Sequence, residues 1–152
     1  SRSDRLDFDL PNELIKQIAL IGAKQGVRLI NTLLACFEIL LYKVTGSERI
    51  IIGLLAADQP VSGNDRLVVH CVNLLPIISK PNNEDLFTGY LSKRKRELLD
   101  DLDHQQVSFG KLIEQLHMSR EGTEVPLTPI AFNIDIDLDD EVSFDGLAHR
   151  FI

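Results

Sequence analysis

Two cysteines, Cys36 and Cys71, are all the thiols in 152 residues. That is too few for a disulfide scaffold, and the pair lacks metal-ligand spacing. Each lies in an apolar run, where cysteine behaves as a small core hydrophobe, and a reducing, cytoplasmic setting is expected. Long hydrophobic runs are missing too. The most apolar stretch, Leu33 to Tyr42, contains Glu38 and falls far short of the roughly 20 residues a bilayer requires, so no membrane partner is expected. Ser-Arg-Ser-Asp-Arg at the start has no apolar segment behind it, and no signal peptide is expected. Basic residues are outnumbered 16 to 23, giving a net charge of −7; an acidic surface repels phosphates, which argues against a nucleic-acid partner. There is no internal repeat, no low-complexity tract and no glycine-rich phosphate loop.

What is present is ordinary for one globular domain. Apolar residues make up 44% and charged residues 26%, and a chain of this length buries roughly two-thirds of its unfolded surface. Leu6, Phe8 and Leu10 alternate with Asp7 and Asp9, which predicts a short half-buried strand. Pro11 suits a helix start, with Leu14, Ile18 and Ile21 on one face and Gly26 as the stop. A second helix is predicted from Ile30 to Val44, ended by Gly46. Ile50 to Gly53 reads as a strand covered on both faces, and Ala56 to Arg66 as a loop. Leu67 to Ser79 reads as a second strand, with Pro76 marking its end or an edge. After a Pro81-Asn82-Asn83 turn, Asn83 is the expected cap of a long helix. That helix turns Leu86, Leu91, Leu98, Leu99 and Leu102 to the core and leaves Lys93 to Arg96 solvated. Ser108 caps a shorter helix through Leu112, Ile113 and Leu116. Ile130 to Leu138 is an expected strand, joined through Asp139-Asp140 to Val142 to Phe144 as a hairpin. The order gives an α/β fold: a two-layer sandwich of helices on a mixed sheet.

Few constellations carry chemistry. Asp135-x-Asp137-x-Asp139 invites a calcium loop, but the sixth and twelfth positions hold Asp140 and Gly146 where glycine and glutamate are needed, so a solvated strand face is the reading. No metal site is expected. His70 and Cys71 cannot pair as nucleophile and base, because adjacent strand residues point to opposite faces. His70 and Asn73 stand out as polar groups in an apolar strand. Buried polar groups need partners, so both are candidates either for structural hydrogen bonding or for lining a substrate path.

Several segments together resemble the condensation domains of nonribosomal peptide synthetases. The family pattern (I/V)GxFVNTLxLR is similar to Val68 through Ile77: Val72, Asn73 and Leu75 agree, Val69 replaces the glycine, and the closing arginine is absent. The pattern HQDxPFE is similar to His104 through Gly110. His104, Gln105, Val107 and Phe109 fit, while Gln106, Ser108 and Gly110 depart from it. Arg120 through Leu127, with Pro126, resembles RDxSRNPL, and Phe132-Asn133 follows as in the family. The opening Phe-x-Leu-Pro, a Leu-Leu-Ala-x-Phe helix and Ile-Ile-Ile-Gly lie in the same order. Each pattern alone is short; their order and spacing along almost the whole chain carry the resemblance.

The resemblance implies the C-terminal lobe, incomplete at its end, of a two-lobed domain with a chloramphenicol-acetyltransferase-like fold. The family's catalytic His-His-x-x-x-Asp-Gly belongs to an N-terminal lobe, and His70, His104, His117 and His149 include no adjacent pair. No catalytic residue is therefore expected in this chain. In the family, carrier proteins deliver thioesters on phosphopantetheine, and the acceptor amine attacks the donor thioester in a tunnel between the lobes. The implied role of this lobe is one tunnel wall, with His70 and Asn73 on it, and the loop from Ala56 to Arg66 as the floor. Implied partners are the N-terminal lobe, peptidyl or acyl carrier proteins and adjacent synthetase domains, with a homodimer as a further expectation; no cofactor is expected to bind directly. The alternative is a non-catalytic lobe acting as an interaction module. Cyclising, epimerising and ester-forming relatives share the lobe, so the resemblance fixes the family and not the subtype.

Overall fold

Glycines punctuate the first half of the chain. In a computed structural model, which describes residues 4–57, 72–103, 107–117 and 127–134, helix α1 spans Asn12–Lys24 and Gly26 follows it at φ 64°. Helix α2 spans Leu29–Thr45 and ends at Gly46, φ 68°, whose N–H donates to the Tyr42 carbonyl. Both glycines occupy the left-handed region that a Cβ disfavours. Strand β1 covers Ile50–Ala57 and β2 covers Val72–Ser79, antiparallel in a register running from Ile50 opposite Ser79 to Ala57 opposite Val72. Helices α3, Phe87–Asp103, and α4, Phe109–Gln115, follow, and then the short β3, Ala131–Phe132, parallel to β1. The sheet order is β2-β1-β3. Helices on a mixed sheet is the architecture expected from the sequence.

Alternation along the strands decides what lies under the helices. Ile50, Ile52, Leu75 and Ile77 form one buried cluster with Leu34 of α2 and Leu98 of α3, and Phe37, Leu54 and Phe132 pack against it. Burying each such side chain is worth roughly 1.5–3 kcal/mol. A second cluster, Val27, Ala35, Tyr90 and Leu91, joins the helices to one another.

Pro76 sits mid-strand, opposite Gly53. The Gly53 N–H donates to the Ile130 carbonyl at 2.8 Å, on the β3 side. In an antiparallel ladder that makes Gly53 and Pro76 a non-hydrogen-bonded pair, so the Pro76 nitrogen faces away from β1 and no ladder bond is lost. Among the described strands β2 is an outer one, so Pro76 lies on an edge there, one of the two places expected for it.

Four expectations change. Residues 6–10 lie outside every described strand, and Leu6 and Phe8 are each 79% exposed; alternation defines two faces but cannot supply a neighbouring strand. Ala56 and Ala57 belong to β1 rather than to the loop. Asn82, not Asn83, organises the turn before α3: its Oδ1 accepts from the Glu84 and Asp85 N–H groups, both at 2.8 Å. Asn83 instead accepts a hydrogen bond from Lys43 of α2. On α3, Leu86 and Leu99 are exposed while Arg94 is buried. The expected strand beyond residue 134, its hairpin and the segment 67–71 lie outside the described residues.

Candidate functional site

The register of β1 and β2 fixes where the two strand ends meet. Ala57 and Val72, the strand ends that flank residues 58–71, are Cα partners at one end of the sheet, the root of that segment. Asn73 stands at this root, opposite Ala56; His70 lies outside the described residues. Of the family-pattern residues, Val72 pairs with Ala57, and Leu75 is in the core at 8% exposure. Phe132 joins that same core, its ring 5.7 Å from that of Phe37 at 33°. Phe109 opens α4 half-buried, behind Ser108, whose Oγ accepts from the Lys111 N–H at 3.4 Å as the expected N-cap. Leu127 is half-buried at φ 69°, and Asn133 is exposed just past β3. His104, Gln105, Arg120 and Pro126 lie outside the described residues.

A polar cluster escaped the sequence reading. The middle of α2 carries Glu38, 1% exposed, and the middle of α3 carries Arg94, 5% exposed. Arg94 Nε donates to Glu38 Oε2 at 3.0 Å and Nη2 to Oε1 at 2.9 Å, a bidentate fork. The Tyr90 hydroxyl donates to Oε2 at 2.6 Å. Arg94 Nη1 reaches Glu97 at 2.7 Å and the Ile78 carbonyl at 3.4 Å. Burial, followed by the Glu38 charge and its hydrogen bond, pushes the Tyr90 hydroxyl far above its ordinary range. Burial alone would lower Arg94, but Glu38 outweighs it and holds the guanidinium charged. With both carboxylate oxygens taken by donors, the cluster suits bracing rather than proton transfer. The one signal in the sequence was Glu38 itself, a lone charge in the most apolar run.

Two surface hollows flank these elements. One, about 260 Å³, lies between α2 and α3 over Ile39, Tyr42, Phe87 and Tyr90, with Lys43 and Asn83 joined at its rim. The other, about 340 Å³, is lined by Leu41, Ile50, Ile51, Leu127 and Ile130. Among the described residues no group of three or more His, Cys, Asp or Glu is placed to hold a metal ion, and no helix is long and apolar enough to cross a membrane.

Helices layered on a mixed sheet, with the pattern residues Leu75 and Phe132 meeting in one core, define an α/β fold of the kind seen in condensation domains. The chain belongs to the condensation-domain family of nonribosomal peptide synthetases: residues 1–147 match the Condensation domain. It is 30% identical over 148 residues, 97% of its length, to bacitracin synthase 2 of Bacillus licheniformis, and 30% identical over 151 residues, 96% of its length, to tyrocidine synthase 2 of Brevibacillus parabrevis. It spans 6% and 4% of those proteins. In fold it is similar to the condensation domain of the Monacolin K polyketide synthase MokA, with TM-score 0.71 and 23% identity over 82% of this chain and 29% of that one. A four-domain nonribosomal peptide synthetase bound to AMP and glycine gives TM-score 0.75 at 18% identity, over 82% of this chain and 9% of that one.

Proposed function

We propose that this chain is the C-terminal lobe of a condensation domain that joins two carrier-bound thioesters through an amide. The acceptor's amine nitrogen attacks the donor's thioester carbonyl; the C–N bond forms, the C–S bond breaks, and the donor's phosphopantetheine leaves as the thiol. The proton lost by the amine passes to a general base and from there to the departing sulfur. On this reading the base comes from the partner lobe that carries the family's His-His-x-x-x-Asp-Gly, a motif this sequence does not contain. What this lobe contributes is position. Phosphopantetheine arrives on the carrier proteins rather than binding here as a resident cofactor, and the neighbouring synthetase domains are the remaining partners.

The observation that carries the reading is the family match over residues 1–147, to which the β1–β2 register adds a position. The register sets Asn73 at the root of segment 58–71. The loop expected from Ala56 to Arg66, less the two residues that β1 takes, is the proposed tunnel floor, and Leu67 to Ser79, with His70 and Asn73, the wall. The alternative, a non-catalytic interaction module, rests on departures from the family pattern at Gln106, Ser108 and Gly110. At one of these, Ser108, the side chain has a local task as helix cap, so its departure needs no loss of catalysis.

The test is amide formation by the intact parent protein with loaded donor and acceptor carriers. Asn73→Ala is expected to slow single-turnover condensation by about 10- to 100-fold at unchanged melting temperature, the scale of a lost positioning contact. Unchanged condensation would remove Asn73 from the path, and a parent inactive with every loaded pair would favour the interaction module.

A further inference from the structure

The faces on which α2 and α3 meet are nearly periodic. On α3, Phe87, Leu91, Arg94, Leu98 and Leu102 follow at spacings of three and four, the stripe of a helix that buries one side. On α2, Leu34, Glu38 and Leu41 do the same. Each stripe carries one charge, near its middle, and the two charges are opposite. Sliding α3 by one turn, about 5.4 Å, would set a leucine of one stripe against a leucine of the other almost as well as before. It would also bring Leu91 or Leu98 onto Glu38 and leave Arg94 facing hydrocarbon, two buried charges without partners.

We propose that the buried Glu38–Arg94–Tyr90 cluster is a register lock: it selects which turn of α3 lies on α2 while adding nothing to stability. Three features support this. The fork is bidentate, at 2.9 and 3.0 Å, so it tolerates one relative placement of the helices. The Tyr90 hydroxyl, one turn earlier on α3, closes on the same carboxylate and fixes rotation as well as translation. Arg94 Nη1 also reaches the Ile78 carbonyl, which ties the register of α3 to the edge of β2. Burying a charge pair this thoroughly carries a desolvation penalty that its attraction only repays, whereas a polar pair set into an apolar seam is an effective selector of helix register. The inference is independent of the proposed function, which concerns residues 58–73.

The experiment uses the 152-residue chain and the triple variant Glu38→Leu, Tyr90→Phe, Arg94→Met. The variant is expected to melt at or above the wild-type temperature. Its amide NMR spectrum should show more than one set of α3 cross-peaks, with α3 amides exchanging about tenfold faster relative to those of β1. A single set of cross-peaks with wild-type protection would overturn the proposal, because apolar packing alone would then set the register. A lower melting temperature, or failure to fold, would overturn it equally, because the cluster would then be a stabiliser. Tyr90→Phe alone, which keeps the fork, is expected to retain one set of cross-peaks, and multiple sets there would also count against the lock.

Discussion

Gly22 of α1 lies flush against Thr32 of α2. A Cβ placed on Gly22 would overlap the Thr32 Oγ1 and stand 3.0 Å from the Val27 carbonyl oxygen. Thr32 is fully buried, and its hydroxyl is already committed to the Arg28 carbonyl at 3.0 Å, so it has little room to turn away. The missing side chain is therefore what lets the two helices close. Gly22→Ala is expected to destabilise the chain by about 1–3 kcal/mol, the range for overpacking, despite alanine's better helix propensity. Chemical denaturation should show the midpoint falling at constant slope.

Removing one partner of the buried fork is a different experiment from removing the whole cluster. Arg94→Met strands the Glu38 carboxylate at 1% exposure, with the Tyr90 hydroxyl as its one remaining donor among the described residues. A loss of about 3–5 kcal/mol is expected, enough to unfold a marginal domain. Adding Glu38→Leu should recover most of it; urea titration of the single and double variants gives the coupling directly.

Alkaline stability should follow Tyr90. Its hydroxyl is held above the ordinary value of 10, first by burial and then by Glu38, so the folded chain keeps a proton that the unfolded chain gives up. Above about pH 10 the unfolded state therefore binds fewer protons than the native state, and stability falls as pH rises; below that value the group contributes no slope. Cys36, raised by burial above 9.0, acts in the same direction from slightly lower pH. Thermal melts between about pH 8 and 11.5 should show a decline that is shallower in Tyr90→Phe and begins later in Cys36→Ser.

Ser108 is a modest cap. Its Oγ lies 3.4 Å from the Lys111 nitrogen, a long bond on an exposed helix end. Ser108→Ala is expected to lower stability by about 0.5 kcal/mol, the bottom of the capping range, with hydrogen exchange rising in residues 109–115 and nowhere else.

Local signals are legible in the sequence where the chain itself supplies the partner. Gly46 ends α2 through its own backbone conformation, and Ser108 caps α4 with an oxygen three residues from the donor. Non-local partners leave no such trace. Arg94 sits in a run of four basic residues, which reads as solvated, and the carboxylate that buries it lies 56 positions earlier. Leu6, Phe8 and Leu10 show a strand's alternation, but no described strand pairs with them. Of the expected tunnel pair, only the strand position of Asn73 is described.

The mid-strand proline has a bearing on assembly. Along the outer side of β2, amides 74 and 78 point away from β1, and the one between them is the Pro76 nitrogen, which has no hydrogen to give. A strand arriving from another molecule would meet a gap in the centre of its ladder, and Arg94 already engages the carbonyl of Ile78 beside it. This flank of the sheet is thus a poor template for strand addition and for the runaway pairing that open edges invite. On this side of the described sheet, a neighbouring chain would find side chains to pack against rather than an unbroken row of backbone donors.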